Sequence, residues 1–258
     1  MDGLSDAEVV RYARQIVLPE IGGIGQERLR AAGVLVVGAG GLGSPLLLYL
    51  AAAGVGRLGV IDNDRVDLSN LHRQVLFETA DEGRGKVEAA LGHLARLNPL
   101  VRLAGHPERL TAANAVEIVS GYDLVADGSD NFATRALVQD ACHRLGRPLV
   151  SAAVQGLDGQ LSTFKPHLGA PHPCLRCLFP EAPAADALPS CAQGGVLGPA
   201  AAVVAGLQAV EVVKELVGFG RSLSGTLLLY DAAEPSLERL AMRRDPACAE
   251  GCVRLGQG

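Results

Sequence analysis

Three groups of residues in this 258-residue chain have the types and spacing that chemistry needs. The first is Gly38-Ala39-Gly40-Gly41-Leu42-Gly43, followed nineteen residues later by Asp62. Glycines let a backbone turn tightly and approach a phosphate, and the start of a helix offers free N–H donors to it. An acid at the end of the next strand accepts hydrogen bonds from ribose hydroxyls. Gly38, Gly40, Gly41, Gly43 and Asp62 are therefore candidates to bind a nucleotide, and the rival reading is a packing turn that holds no ligand. The second group is the polar segment Asp62-Asn63-Asp64-Arg65-Val66-Asp67-Leu68-Ser69-Asn70-Leu71-His72-Arg73-Gln74, with Lys86 beyond it. A dinucleotide needs no further clamp once the glycine turn has its pyrophosphate. A triphosphate does, because charge must be neutralised as pyrophosphate departs. Arg73 and Lys86 could neutralise it, and Asp130 could hold Mg²⁺. Taken singly, the two cations also read as solvated loop charges, and Asp130 as the cap of a helix starting at Asn131. Their joint placement near the ends of strands favours the triphosphate.

The third group is the cysteines. Cys174 and Cys177 form a C-x2-C pair, and Cys248 and Cys252 a second pair with three residues between them. Four thiolates so spaced can close a tetrahedral site for structural Zn²⁺, stapling the C-terminal segment to an irregular, Pro-rich one; four unbound thiols are the alternative. Cys191 stands apart in a segment before a long helix. A cysteine there can have a lowered pKa and act as a nucleophile, although no His base is identifiable and a bystander thiol is the other reading. Cys142 sits on a helix face and reads as a small core residue.

These groups need a scaffold, and the apolar pattern supplies one. Ser5 with Glu8 three residues on has capping-box spacing and opens a helix that carries Val9, Tyr12, Ile16 and Val17 as its apolar stripe. Strands are predicted over 34–37, 58–61, 101–103, 122–126 and 148–154, with helices over 45–53, 86–97, 113–119 and 131–145 between them. Apolar strands alternating with helices mean a parallel sheet covered on both faces. After Gly156 the character changes: a strand over 160–164, an irregular segment over 166–190, a helix over 196–217, and strands over 225–230 and 237–242. The expected fold class is α/β, a Rossmann-like doubly wound sheet, mainly parallel and continued by antiparallel strands. One unit over 1–258 is expected, divided into a helical segment (1–32), a nucleotide-binding part (33–155) and a part (156–258) that carries the cysteine pairs.

Charge and composition narrow the partners. With 23 Lys and Arg against 28 Asp and Glu, no cation excess is available to neutralise nucleic acid. The most apolar stretch, 196–217, is interrupted by Gln208, Glu211, Lys214 and Glu215 and suits a buried helix rather than a membrane span. The acidic start Met1-Asp2-Gly3-Leu4-Ser5-Asp6 has no apolar run of the secretory kind. A cytoplasmic protein is expected, with neither membrane nor nucleic acid as partner. Gly85-Lys86-Val87 is no Walker loop, and Asp62-Asn63-Asp64 lacks the glycine and glutamate of a calcium loop.

Arg11-Tyr12-Ala13-Arg14-Gln15-Ile16, the 38–43 turn, Asp62 with the 68–74 run Leu-Ser-Asn-Leu-His-Arg-Gln, and Asp127-Gly128-Ser129-Asp130-Asn131 together resemble the MoeB/ThiF/HesA family, bacterial relatives of ubiquitin-activating enzymes. The resemblance runs along almost the whole chain. It implies adenylation, with MgATP, of the C-terminal glycine of a small ubiquitin-like sulfur carrier ending in Gly-Gly. It places Gly41, Asp62, Ser69, Asn70, Leu71, His72, Arg73, Lys86, Asp130 and Asn131 on ATP, with Asp130 as the Mg²⁺-associated acid. Asp64 joins this set as a neighbour of Asp62. It implies a homodimer in which Arg14 reaches the partner's triphosphate, and a carrier docked on the part after residue 156. Zinc at the cysteine pairs also matches the family, whose second pair usually has two intervening residues. The molybdopterin-synthase small subunit (MoaD-like) is the first carrier expected, and the thiamine-pathway carrier (ThiS-like) the second. No rhodanese-like segment follows Cys252 in this chain, so sulfur transfer is expected to need a separate sulfurtransferase. Two rivals stand: an NAD-dependent oxidoreductase, which leaves Ser69–Arg73 and the cysteine pairs unexplained, and a non-catalytic scaffold for a ubiquitin-like protein, which leaves the joint retention of Arg14, Asp62, Arg73, Lys86 and Asp130 unexplained.

Overall fold

The strand β1 (Gly33–Val37) is buried along its whole length because the sheet it belongs to is covered on both sides. Its side chains alternate: Val34 and Val36 enter one apolar cluster, Leu35 and Val37 the other. The computed structural model describes residues 3–180, 194–246 and 248. Among these residues, eight strands form one sheet in the order β3-β2-β1-β4-β5-β6-β7-β8. Besides β1 they are β2 (Arg57–Ile61), β3 (Arg102–His106), β4 (Leu124–Asp127), β5 (Leu149–Gln155), β6 (Asp158–Phe164), β7 (Thr226–Asp231) and β8 (Ser236–Ala241). The first five run parallel and the last three continue antiparallel, which is the expected mixed architecture.

The helices are α1 (Asp6–Ile16), α2 (Gly22–Ala31), α3 (Gly43–Ala53), α4 (Lys86–Leu97), α5 (Ala115–Ser120), α6 (Phe132–Leu145), α7 (Leu175–Leu178) and α8 (Gly198–Val217). The cluster that holds Val34 and Val36 also takes side chains of α3, α4 and α8, whereas α5 and α6 supply the other. Leu46, Leu47, Leu50 and Leu94 are wholly buried in the first, each contributing about 1.5–3 kcal/mol by burial. Gln208 lies buried on α8 and donates to the carbonyls of Asp127 (2.9 Å) and Val150 (3.0 Å), pinning the helix beneath β4 and β5. No helix among the described residues is long and apolar enough to cross a membrane.

Three expectations change. The capping box at Ser5 and Glu8 is formed, but of the apolar stripe only Tyr12 is buried; Val9 and Val17 are exposed. Polar contacts dock α1 instead: Asn98 donates to the Tyr12 hydroxyl (2.8 Å), and Gln15 donates to the Ala53 carbonyl (3.0 Å). Within the helical segment 1–32 the sequence pattern places only the opening helix, and a second, α2, forms after it. In the segment 166–190 the described part is not wholly irregular, since a short 3-10 turn at Pro166–Leu168 and α7 lie in it.

Candidate functional site

The strand order reverses between β1 and β4, and that is where the glycine turn lies. In an open α/β sheet, connections leave such a switch point in opposite directions and open a crevice at the strands' carboxyl ends. Gly38 leaves β1 with φ +87, in the left-handed region that glycine tolerates best. A Cβ there would lie 3.4 Å from the Gly128 carbonyl oxygen, just past β4. Gly43 opens α3 so close beneath the turn that a Cβ would meet the Gly38 carbonyl oxygen at 1.8 Å.

The crevice is the mouth of a cavity of about 1610 Å³. Gly38, Gly40, Gly41, Asp62, Asp64, Asn70, Arg73, Lys86, Asp130 and Asn131 all border it. Gly43, Ser69, Leu71, His72 and Arg14 do not. Gly43 acts through the packing just described. Ser69 donates its hydroxyl and its N–H to Asp67, which holds that carboxyl below its usual pKa and ties off the turn before Arg73. Arg14 is exposed on α1, away from the cavity of its own chain.

Asp62 accepts from the Ala39 N–H (2.8 Å) with one carboxylate oxygen and from the Asp64 N–H (2.8 Å) with the other, so it joins the glycine turn to the loop after β2. Lone pairs remain on both oxygens for a further donor. Lys86 is only 4% exposed, and its ammonium meets the Asp64 carboxylate at 2.9 Å. Arg73 donates to the Asn70 side-chain oxygen (2.6 Å), and its aliphatic stem passes over Gly41, where a Cβ would come within 3.4 Å of it. Two cations, one on a loop and one at the start of α4, thus border one cavity. Asp130 is exposed at the cavity's border, three residues past β4 rather than at its end. It does not cap α6: Asn131 does, its side chain accepting from the Thr134 N–H at 2.9 Å.

Sequence reasoning missed what holds Asp130 in place. Asp127, fully buried at the end of β4, accepts from the Ser129 N–H and the Ser151 hydroxyl, both at 2.9 Å. Arg135 donates to the Ser129 carbonyl at 2.6 Å. An acid closing an otherwise apolar strand was the visible signal for Asp127; Ser151 and Arg135 gave none. Away from the glycine turn, the cavity runs over β5, β6 and β7, where Phe132, Leu175, Leu178, Phe179, Leu227 and Leu229 border it together with Gln155, Asp158 and Gln160.

Cys174, Cys177 and Cys248 converge, their sulfur atoms within 4.8 Å of one another. Sγ of Cys174 lies 3.8 Å from that of Cys177 and 3.5 Å from that of Cys248. Tetrahedral bonds of about 2.3 Å to zinc put sulfurs roughly 3.8 Å apart, so the spacing fits. Burial works to raise the Cys177 pKa, but the N–H groups of Asp245 and Cys174 donating to its sulfur bring it below the usual thiol value. Cys252 and Cys191 lie outside the described residues. Cys142 is fully buried and its pKa is pushed up by that burial, as a core cysteine's should be.

The ThiF family model matches residues 12–250. A sulfur carrier protein adenylyltransferase of Thermus thermophilus is 56% identical over 243 residues, covering 93% of this chain and 90% of that protein. The adenylyltransferase and sulfurtransferase MOCS3 of Sus scrofa is 51% identical over 247 residues, covering 95% of this chain. The chain spans 54% of that relative's length. Among solved structures, Escherichia coli MccB with ATP superposes with a TM-score of 0.80 at 23% identity, over 93% of this chain and 73% of that one, a likeness of fold.

Proposed function

The chain belongs to the ThiF family, and from that premise we propose that it adenylates the C-terminal glycine of a small ubiquitin-like sulfur carrier at the expense of ATP. It is an enzyme, an adenylyltransferase. The observation that carries the reading is that Arg73, from the loop after β2, and Lys86, from the start of α4, border the same cavity as the glycine turn. A carboxylate oxygen of the carrier attacks the α-phosphorus; the bond to the bridging oxygen breaks, and pyrophosphate leaves with that bond's electron pair. No protein nucleophile is needed for this step. The chain's contribution is positioning and neutralisation of charge.

In this reading Asp62 takes the ribose, Arg73 and Lys86 take the departing phosphates, and Asp130 holds Mg²⁺, which supplies further charge neutralisation when bound. Asn70 and Asn131 complete the polar wall. A homodimer would bring the partner's Arg14, exposed on α1, to the triphosphate. The end of the cavity over β5 to β7 suits a narrow Gly-Gly tail arriving from a carrier docked on the part after residue 156. A MoaD-like carrier is the first proposed and a ThiS-like one the second; a sulfurtransferase would then consume the adenylate.

The test is ATP–pyrophosphate exchange with each Gly-Gly carrier in turn and with none. Carrier-dependent exchange is expected, at most a trace without carrier. ATP binding without exchange with any carrier would favour the scaffold reading, and binding of NAD in place of ATP would overturn the nucleotide assignment.

Zinc is the proposed occupant of the cysteine cluster, held by Cys174, Cys177, Cys248 and, from outside the described residues, Cys252. Three soft sulfur donors fit zinc better than a hard cation. Close to one zinc per chain is expected by elemental analysis. Cys177→Ser should lose it and lower Tm by roughly 5–10 °C, since metal binding is coupled to folding. Full zinc content in that variant would refute the assignment.

A further inference from the structure

Lys86 starts α4, and what precedes it is held by a buried carboxylate that borders no cavity described above. Asp81 is 3% exposed and accepts three hydrogen bonds: from the Glu78 N–H (3.0 Å), from Arg84 (2.8 Å) and from Nε2 of His93 on α4 (2.6 Å). A guanidinium has donors only, so Arg96, 2.6 Å from Nδ1 of His93, makes that nitrogen the acceptor and leaves the proton on Nε2. His93 thus donates to Asp81 through Nε2. Burial works to raise the Asp81 pKa, but the Glu78 N–H, His93 and Arg84 bring it below the usual value, so it remains a carboxylate.

The loop that Asp81 organises is stitched to the loop after β2. The Gly83 N–H donates to the Val66 carbonyl and the Val66 N–H to the Arg84 carbonyl, each at 2.9 Å. Arg65 donates to the Gly83 carbonyl at 2.6 Å. The Lys86 N–H donates to the Asp64 carbonyl at 3.0 Å, and the Lys86 ammonium meets the carboxylate of the same residue. Asp64 is in turn held by Asp62, which holds Ala39 of the glycine turn. Hydrogen bonds, with the two-residue chain step from Arg84 to Lys86 between them, therefore join Asp81 to the glycine turn, and Lys86 lies on that route.

We propose that Asp81, with His93 behind it, is a positioning residue for Lys86, setting where its ammonium stands in the nucleotide cavity. The inference rests on the adenylation reading for what Lys86 then contacts. Asp81→Asn keeps the volume but turns an amide NH₂ toward groups that can only donate. The loop then loosens at its hub, and a misplacement of about 1 Å at a phosphate clamp can cost as much as 10²-fold.

The test titrates MgATP into the full-length wild type, Asp81→Asn, Lys86→Ala and the double variant, with thermal unfolding recorded for each. Asp81→Asn is expected to raise the Kd for ATP about tenfold, within the usual range for coupled neighbours. Lys86→Ala should raise it at least as much, and the double variant no further than Lys86→Ala alone. Additive effects on Kd would show that Asp81 acts apart from Lys86 and overturn the proposal while leaving the adenylation reading in place. An unchanged Kd in a folded Asp81→Asn would do the same. Where Asp81→Asn does not fold, His93→Ala in the same two backgrounds gives the same readout: a severalfold rise in Kd with Lys86 present and none without it. A wild type that fails to bind ATP overturns the nucleotide reading and this proposal with it.

Discussion

Arg73→Ala is expected to lower carrier-dependent ATP–pyrophosphate exchange by about 10³-fold, the lower end of what an arginine clamp contributes to phosphoryl transfer. The effect should fall on the rate, with the fold intact. Arg73 lies on a half-buried loop, its guanidinium is bound to Asn70, and its stem crosses a glycine. Truncation removes no core contact, so Tm should move by no more than about 2 °C, in the range of surface substitutions. Arg73→Lys should recover little, because a point charge on a flexible stem cannot reproduce a planar fork held by Asn70. Near-normal exchange in purified Arg73→Ala would sink the proposed role of Arg73 and weaken the triphosphate reading with it. Asp130→Ala should behave likewise if Asp130 holds the metal. Its side chain is exposed on a loop kept in place by Asp127 and Ser151, so the fold does not depend on it.

What the sequence revealed depended on whether the causes were local. The strands were readable because both faces of the sheet are covered, so β1, β2 and β4 appear as unbroken apolar runs closing on Val37, Ile61 and Asp127. The glycine turn was readable because a tight turn between strand and helix leaves its requirement in consecutive residues. Helix α2 was not, since three of its first four residues are glycine and only Leu29 is a fully buried hydrophobe. Its stability comes from elsewhere in the chain: Gly25 packs against Val217 at the end of α8, and Gln26 donates to the Ala53 carbonyl. The stripe on α1 was misread for the complementary reason, because Val9 and Val17 have helical spacing yet the helix is docked by Tyr12 and Gln15. In the candidate site, Asp62, Arg73 and Lys86 carried local signals. Asp81 carried little, because a carboxylate that works by collecting donors from several elements looks like any other acid in one dimension.

The second large effect belongs to a residue that does not border the cavity. Gly43→Ala is expected to abolish measurable ATP binding and to lower Tm by roughly 5–10 °C, as a backbone clash of several kcal/mol does in a chain of this size. The added Cβ would stand 1.8 Å from the Gly38 carbonyl oxygen, a backbone atom that no rotamer change can move aside. Either α3 shifts along its axis or the turn opens. The first disturbs Leu46, Leu47 and Leu50 in the core, and the second carries the amides around Gly40 and Gly41 away from the phosphate. Gly41→Ala is the informative contrast. Its Cβ would meet only the Arg73 stem, at 3.4 Å, so the free protein should fold with wild-type Tm. A methyl on the cavity wall would still hinder the close approach of a phosphate and displace Arg73, so ATP affinity should fall in Gly41→Ala without loss of stability. Loss of both properties in Gly43→Ala, and of affinity alone in Gly41→Ala, would separate the glycine that builds the turn from the glycine that faces the nucleotide. Equal stability losses in the two variants would mean that the turn serves packing and has no nucleotide to hold.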